Sequence, residues 1–387
     1  GSGKELLDDV QEHSRIVEKK LRALIDKLRV DIVIPNNLLS VGYNLPGMLA
    51  LSRILEESGK PAICHHHDFW WEDSGEVHPT CEEVQALYRN HAPPALPNCV
   101  HVVINNIARR ELQRRRGLDS VVVPNAFDFS QPVWGRDEYN HDLRDAFGIG
   151  KSDILMLQAT RVLDRKAIEL SIDIVAALSR PECRQRLEAT ALYDGRRFGP
   201  ADRIVLLCAG YVEGIGLSDS YADNLQSKAD ELGVELVWAG ERIRHSRGRT
   251  TSGEKAYSLW DSYAAADHVT YPSIWEGWGN QFVEAVFARL PVVLFEYPVW
   301  TSDLAHLGFK VATLGDTIAG RDERGLVMVA KDRLDSAVEQ VIEYLTDPQS
   351  RRAATEHNVR IARRDFSMNA LRDHIGTVLN KIGVRNS

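Results

Sequence analysis

The chain has 387 residues, 44% of them hydrophobic and 26% charged, a composition that excludes a disordered chain, and its length is that of two α/β domains. A net charge of −8 argues against general nucleic-acid binding and leaves room only for a local basic pocket around a phosphate. Cys64, Cys81, Cys99, Cys183 and Cys208 form no CxxC pair and are odd in number, which indicates neither a disulfide framework nor a zinc knuckle and fits a reduced, cytoplasmic setting.

After a GSG stretch that reads as a linker, apolar Leu7, Val10, Val17, Leu21, Leu24, Ile25 and Leu28 recur at helical spacing and predict a helix over 4–28. No signal peptide and no apolar run of membrane-spanning length is found, with peripheral membrane contact left open. VDIVIP (30–35) reads as a buried parallel strand, followed by an asparagine-bearing loop (Asn36, Asn37, Asn44) and a helix over 46–57. PAICHHHD is the next strand, and its C-terminal end is where open α/β sheets place ligands. Alternation points His65 and His67 to one face and His66 to the other, so a zinc site built from all three is the minor reading. At least one of them is expected to be a satisfied core histidine, with His65, deeper along the strand, the nearest to the core. The functional reading is a sugar pocket shaped by His67 and Asp68, with Trp70 or Trp71 as a stacking face.

HVVIN (101–105) predicts a strand leading into the helix IARRELQRRRG, which stops at Gly117. Its Arg109, Arg110, Arg114, Arg115 and Arg116 read as a solvated helix face in an acidic protein. VVVPNAFDF (121–129) is a strand and turn, and the polar stretch 130–152 reads as an interdomain linker. A second unit opens with a strand at 154–159, a turn at 162–165 and a helix from Lys166. Arg161 and Lys166 thus bracket one loop at a sheet edge, where two cations can clamp a diphosphate, although loop cations are also commonly just solvated. Strands at 203–210 and 234–240 flank a helix near 221–232, and the basic segment 241–255 reads as a mobile loop.

Tyr271 to Glu284, YPSIWEGWGNQFVE, combines a strand end, a glycine-bearing turn and a helix start at Asn280 or Gln281. Glu276 stands on the loop and Glu284 in the first turns of the helix, so the two carboxylates can grip different parts of one ligand. Backbone N–H groups of the turn near a helix N-terminus favour negative charge. The same spacing also fits an ordinary strand–turn–helix with solvated acids. A buried strand at 290–297 and helices from about 334 to 382 complete the chain.

The E-x7-E spacing of Glu276 and Glu284 after Pro272-Ser273 resembles the signature of retaining nucleotide-sugar glycosyltransferases of family 4, which have the GT-B architecture of two Rossmann-like domains facing an interdomain cleft. Other stretches carry the same resemblance. Arg161 and Lys166 match the family's G-R-x-x-x-x-K-G, with Thr160 and Ala167 in place of its glycines. SLWDSYAAADHVTYPS is similar to its Y-x-x-A-D-x-x-x-x-P-S, and VVVPNAFDF to V-x-P-N-G-x-D, with Ala126 where glycine is usual. HHHDFWWE resembles the subgroup of mannosylglucosylglycerate synthase-like enzymes.

The resemblance implies a first domain over 1–137, with a C-terminal helix of about 366–387 packed back on it, and a nucleotide-sugar domain over 151–365. It implies that Glu284 accepts hydrogen bonds from the donor ribose, and that Glu276 with the backbone of Gly277, Trp278, Gly279 and Asn280 holds the transferred sugar. Arg161 and Lys166 would stabilise the leaving diphosphate, His67 would face the transferred sugar, and the chain after the strand at 234–240 would lie beside the base. The activity implied is retaining transfer from a GDP- or UDP-sugar to the hydroxyl of a small polar or glycoside acceptor, with no cofactor and no metal, there being no D-x-D at a strand end. Similar enzymes begin with a strand and glycine-rich loop that nothing before Lys4 supplies, so the first domain is expected to be short by about a hundred residues. Alternatives on the same fold are a nucleotide-sugar-binding remnant or subunit without turnover and a sugar phosphorylase or epimerase. No stretch resembles a pyridoxal-phosphate lysine site, and no early G-x-G-x-x-G marks a dehydrogenase.

Overall fold

A computed structural model describes residues 3–72, 79, 81–210 and 217–382. The chain forms two compact units, one built from the chain up to Ala126 together with the segment from Asn369, the other from Phe127 to Met368. Among the described residues no helix is long and apolar enough to cross a membrane.

In the first unit, α1 (Gly3–Lys27) and α2 (Leu45–Ser58) precede β1 (Ala62–His66), α3 (Glu82–His91), β2 (Cys99–Val103), α4 (Asn106–Arg116) and β3 (Ser120–Val122). The strands are parallel in the order β1-β2-β3. Asn44 caps α2 through the Gly47 N–H and Gly59 ends it at φ 63°; Asn105 and Gly117 do the same for α4, Gly117 at φ 65°. Val10, Met48, Leu55 and Leu87 pack with Ala62 and Cys64 in one core. On another, the C-terminal helix Met368–Ile382 lays Leu371, Ile375 and Val378 against Ile63, Val102 and Val123.

The segment 30–35, expected as a buried strand, is an extended edge. Val33 bonds Pro61 O and receives Ile63 N–H, each within 3.0 Å, and His65 N–H reaches Pro35 O at 3.0 Å. Pro35 has no N–H to return, so the ladder breaks and only isolated bridges at Val33 and Asn36 remain. Ile34 is 58% exposed, as edge position allows.

The second unit contains α5 (Leu143–Ala146), β4 (Ile154–Gln158), α6 (Ile168–Leu178), α7 (Pro181–Ala189), β5 (Ile204–Cys208), α8 (Leu217–Leu232) and β6 (Glu235–Trp238). Then come β7 (Ile243–Arg244), β8 (Gly248–Arg249), β9 (Lys255–Ser258), α9 (Leu259–Ala265), β10 (His268–Tyr271), α10 (Asn280–Phe287), β11 (Val292–Leu294) and β12 (Ala312–Thr313). The hairpin β13 (Gly320–Arg321) and β14 (Val327–Met328) leads to α11 (Lys331–Thr346), α12 (Pro348–Asp365) and α13 (Met368–Ile382). The parallel sheet has the order β12-β11-β10-β4-β5-β6. Every residue of β4 and β5 is buried, as their unbroken apolar runs require of strands covered on both faces. The winding reverses between β4 and β10, and that switch point is where a doubly wound sheet opens a crevice at its carboxyl edge.

Two expectations fail here for packing reasons. The stretch 130–152 is not a linker but part of the second unit. Leu143 and Ile149 are each 1% exposed, and buried Arg144 donates to Ala265 O at 3.1 Å and to Asp267 at 2.7 Å. The basic segment 241–255 is not irregular throughout either: it contains β7 and β8, which flank β9. Arg247 is tied to Asp261 at 3.0 Å and Asp137 at 2.7 Å, so its charge is absorbed locally.

Candidate active site

The loops after β4 and β10 meet at the switch point. Thr160 follows β4 with its side chain turned inward, where Gln158 Nε2 donates to its Oγ1 at 2.6 Å. Gln158 Oε1 in turn accepts from Ser171 at 3.0 Å and Thr270 at 2.8 Å, so the amide joins β4, α6 and β10 in one buried polar network. A Cβ on Gly210 would lie 1.7 Å from Thr160 O, which shows how closely the chain after β5 crosses this turn. Ala167, in the family glycine position, holds φ 45° and ψ 47° between a 3-10 turn (Asp164–Lys166) and α6. That left-handed geometry strains a residue with a Cβ.

This turn throws two cations onto one acid. Lys166 Nζ bonds Glu276 Oε1, and Arg165 Nη1 bonds Glu276 Oε2 at 3.1 Å and Trp275 O at 3.2 Å. Arg165 also lies over the Trp275 ring at 5.7 Å and receives the Ile274 N–H at its carbonyl at 3.0 Å, so the two loops are stitched by backbone and side chain together. Lys166 and Glu276 are both buried. Burial pushes the Glu276 carboxyl up, but Lys166 and Arg165 outweigh it and hold the group below the usual glutamate range. Burial draws the Lys166 ammonium down against the pull of Glu276; Arg161 adds to the lowering, as a cation close by does.

Beyond Glu276 the chain turns on Gly279 at φ 129°, where a Cβ would stand 2.2 Å from Tyr297 Oη. Tyr297 donates to Trp278 O at 2.8 Å. The Trp278 side chain is 4% exposed and packs edge-on against Phe366 at 5.2 Å, so it offers a ligand its backbone rather than an aromatic face. Asn280, exposed, begins α10, and Glu284 lies one turn in, as its spacing predicts. Tyr263 of α9 donates to Glu284 Oε2 at 2.9 Å. Burial raises the Glu284 carboxyl, and the tyrosine bond opposes that rise.

In the first unit the histidine run follows the strand alternation. The rings of His65 and His67 lie 4.4 Å apart on one side, while His66 points the other way and hydrogen-bonds His101 at 3.0 Å. The core histidine is therefore His66, 1% exposed, and not His65. Burial lowers His67, with Asp68 and Asn125 pulling it back up. Burial and then His67 bring His65 down to about 4. Asn37, in the left-handed region at φ 59°, accepts the His67 N–H at 2.7 Å and donates to Asp68 at 3.3 Å. The expected stacking rings are engaged within the unit: Trp70 stacks on Tyr88 at 4.9 Å and bonds Ala92 O, while Trp71 stacks on Phe69 at 4.4 Å with Arg115 over it. The arginine-rich face of α4 is exposed at Arg109, Arg110, Arg114 and Arg115, and Glu111 pairs the last two; Arg116 folds back to Pro93 O at 2.8 Å.

Sequence reasoning missed Arg165, Asn37, Tyr263 and Glu72. Arg165 sits beside Lys166 in the same cationic run, and Asn37 precedes a non-repetitive turn, so both left a trace in the sequence. Glu72 closes the HHHDFWWE run, and burial with Asp68 nearby pushes it up to about 8.

A scan against family profiles matches none. The chain is 42% identical over 373 residues to the mannosylglucosylglycerate synthase of Thermotoga maritima, covering 96% of this chain and 81% of the relative. It is 36% identical over 361 residues to the enzyme of that name from Petrotoga mobilis, covering 92% and 80%. Among solved structures, Anabaena HepE in complex with UDP and glucose superposes with a TM-score of 0.59 at 14% identity, over 95% of this chain and 81% of that one. The chain therefore belongs to the mannosylglucosylglycerate synthase family, glycosyltransferases of the GT-B fold.

Proposed function

We propose that this glycosyltransferase moves a sugar, with retention of configuration and without a metal ion, from a nucleoside-diphosphate sugar to a hydroxyl of a small polar glycoside. The names of the Thermotoga and Petrotoga relatives point to a mannosyl group joined to glucosylglycerate, and a GDP- or UDP-linked donor is the corresponding expectation here. The observation that carries the reading is Glu276, whose two carboxylate oxygens are each taken by a cation, Lys166 on one and Arg165 on the other.

A carboxylate so engaged is a poor nucleophile and a well-fixed acceptor for sugar hydroxyls, which supports same-face attack rather than a glycosyl-enzyme. In that step the bond from C1 to the diphosphate oxygen breaks as the acceptor oxygen bonds C1, and the acceptor proton passes to the departing phosphate. Arg161 and Lys166 meet the charge that develops there, an interaction stronger in the transition state than before it. Glu284 takes the ribose hydroxyls, and the backbone from Gly277 to Asn280 assists Glu276. His67 and Asp68 of the first unit are assigned to the sugar and acceptor side.

Titration calorimetry with free nucleoside diphosphate and with the nucleotide-sugar tests the division of labour. Glu284→Gln is expected to weaken both ligands, and Glu276→Gln to spare the free diphosphate while weakening the sugar conjugate. Equal loss of diphosphate affinity in the two variants would refute the assignment.

A further inference from the structure

We propose that Tyr263 is a positioning residue for nucleotide binding: its phenol anchors one oxygen of Glu284 so that the other is presented to the ligand. The proposal deepens the donor-site reading above and rests on it.

Glutamate has three side-chain torsions, and an unrestrained carboxylate loses rotational freedom when it engages a ligand. Here that freedom is removed in advance. Tyr263 Oη donates to Glu284 Oε2 at 2.9 Å, and among the described residues no other hydrogen bond reaches this carboxylate. The anchor is itself buried and packed on aromatic rings. Tyr263 is 1% exposed, and its ring lies 5.3 Å from Trp134, which stacks on Trp260 at 4.5 Å and meets Phe287 at 4.8 Å. Phe287, on the same helix as Glu284, is packed in turn by Phe127 at 4.9 Å and Phe129 at 5.8 Å.

The helix that bears Tyr263 is fixed at its start by a capping box between Ser258 and Asp261. Asp261 also receives Arg247 at 3.0 Å and Asn140 at 2.9 Å. The aromatic wall and the cap thus place a phenol against Glu284 with little latitude. The bond has a second effect: burial favours the protonated carboxyl, which accepts poorly, and Tyr263 is the group that opposes it. Among the described residues no charged side chain contributes to that balance.

Tyr263→Phe keeps the ring and deletes only the donor. UDP and GDP affinities are to be measured by calorimetry across pH in the parent, in Tyr263→Phe, in Glu284→Gln and in the double variant, with melting temperatures alongside. Tyr263→Phe should weaken the preferred nucleotide about tenfold at neutral pH, the scale of one hydrogen bond to a charged group. The acid fall-off of affinity should move to higher pH, because the carboxyl now protonates sooner. In the Glu284→Gln background the same change should cost less than about twofold, since the two residues act as one unit. 3-Fluorotyrosine at position 263, a stronger donor of the same shape, should move the acid limb to lower pH. A merely structural tyrosine would lower affinity equally at every pH and add its effect to that of Glu284→Gln; that result overturns the proposal. If Glu284→Gln itself leaves nucleotide affinity intact, the donor-site reading falls as well; if it weakens binding and Tyr263→Phe does not, only the positioning role falls.

Discussion

Replacing Lys166 by methionine keeps the aliphatic stem and removes the ammonium from a buried acid. Removing one partner of a buried ion pair costs about 3–5 kcal/mol, most of it the stranded charge. Arg165 still bonds the other Glu276 oxygen at 3.1 Å, but its side chain is 29% exposed and its charge is partly screened. The expected loss is therefore at the lower end, about 3 kcal/mol. In the parent, Glu276 is held below its ordinary range, so it contributes stability above the unfolded pKa that is lost as the pH falls through the folded one. Lys166 is the largest charge favouring ionisation, and without it burial prevails. The deficit of Lys166→Met should then be greatest at neutral pH and shrink as Glu276 is protonated. Hydrogen exchange of the β4 and α6 amides in the nucleotide-free protein reads the local stability. Glu276→Gln in the same chain should restore most of the loss, because an amide tolerates burial better than a carboxylate left with one partly screened cation. Exchange unchanged within about 0.5 kcal/mol, or a double variant no better than the single one, would refute the reasoning.

Gly279→Ala should destabilise the second unit by about 3 kcal/mol in thermal or urea unfolding, combining left-handed strain with a clash on Tyr297 Oη; Tyr297→Phe should relieve part of it. His65 and His101 are held down to about 4 by burial, so between the ordinary histidine value of 6.5 and about 4 the unfolded chain binds protons that the folded chain does not. Stability of the first unit should fall with decreasing pH there, by up to about 1.4 kcal/mol per pH unit for each histidine, and His101→Leu should flatten the slope. His67→Ala should lower transfer markedly and leave diphosphate binding nearly intact, since that binding is assigned to Arg161, Lys166 and Glu284; unchanged transfer would reduce His67 to a structural residue. Chelator should alter neither transfer nor diphosphate binding.

The parts of the site that follow from local chemistry were legible in the sequence. The position of Glu284 on α10 follows from spacing and a glycine turn, and the stop of α4 at Gly117 from the glycine itself. The buried strands β4 and β5 follow from apolar runs that only a doubly covered sheet accommodates. What was hidden depends on which face is covered and what lies across space. Alternation separates His66 from its neighbours but cannot say which ring is covered at the end of β1; the His101 ring and Phe69 lie against His66. A polar composition made 130–152 look like a linker, yet Arg144 is buried because two backbone carbonyls and Asp267 satisfy its guanidinium. The basic run at 241–255 read as a loop because the acids that neutralise Arg247 lie outside it, Asp261 just beyond its end and Asp137 on a distant stretch of the chain. The engagement of both Glu276 oxygens by Lys166 and Arg165 joins loops about a hundred residues apart, and no motif records it.

The most direct test of the central claim is transfer itself, followed by proton NMR of the product. The parent protein is incubated with an α-linked GDP- or UDP-sugar and glucosylglycerate in the presence of chelator, alongside Arg161→Ala and Lys166→Ala. The account predicts a new α-glycosidic bond from an α-donor, with turnover lower by about a hundredfold in each variant, the scale of one lost charge-stabilising group. A β-linked product, transfer abolished by chelator, or variants within twofold of the parent would contradict it.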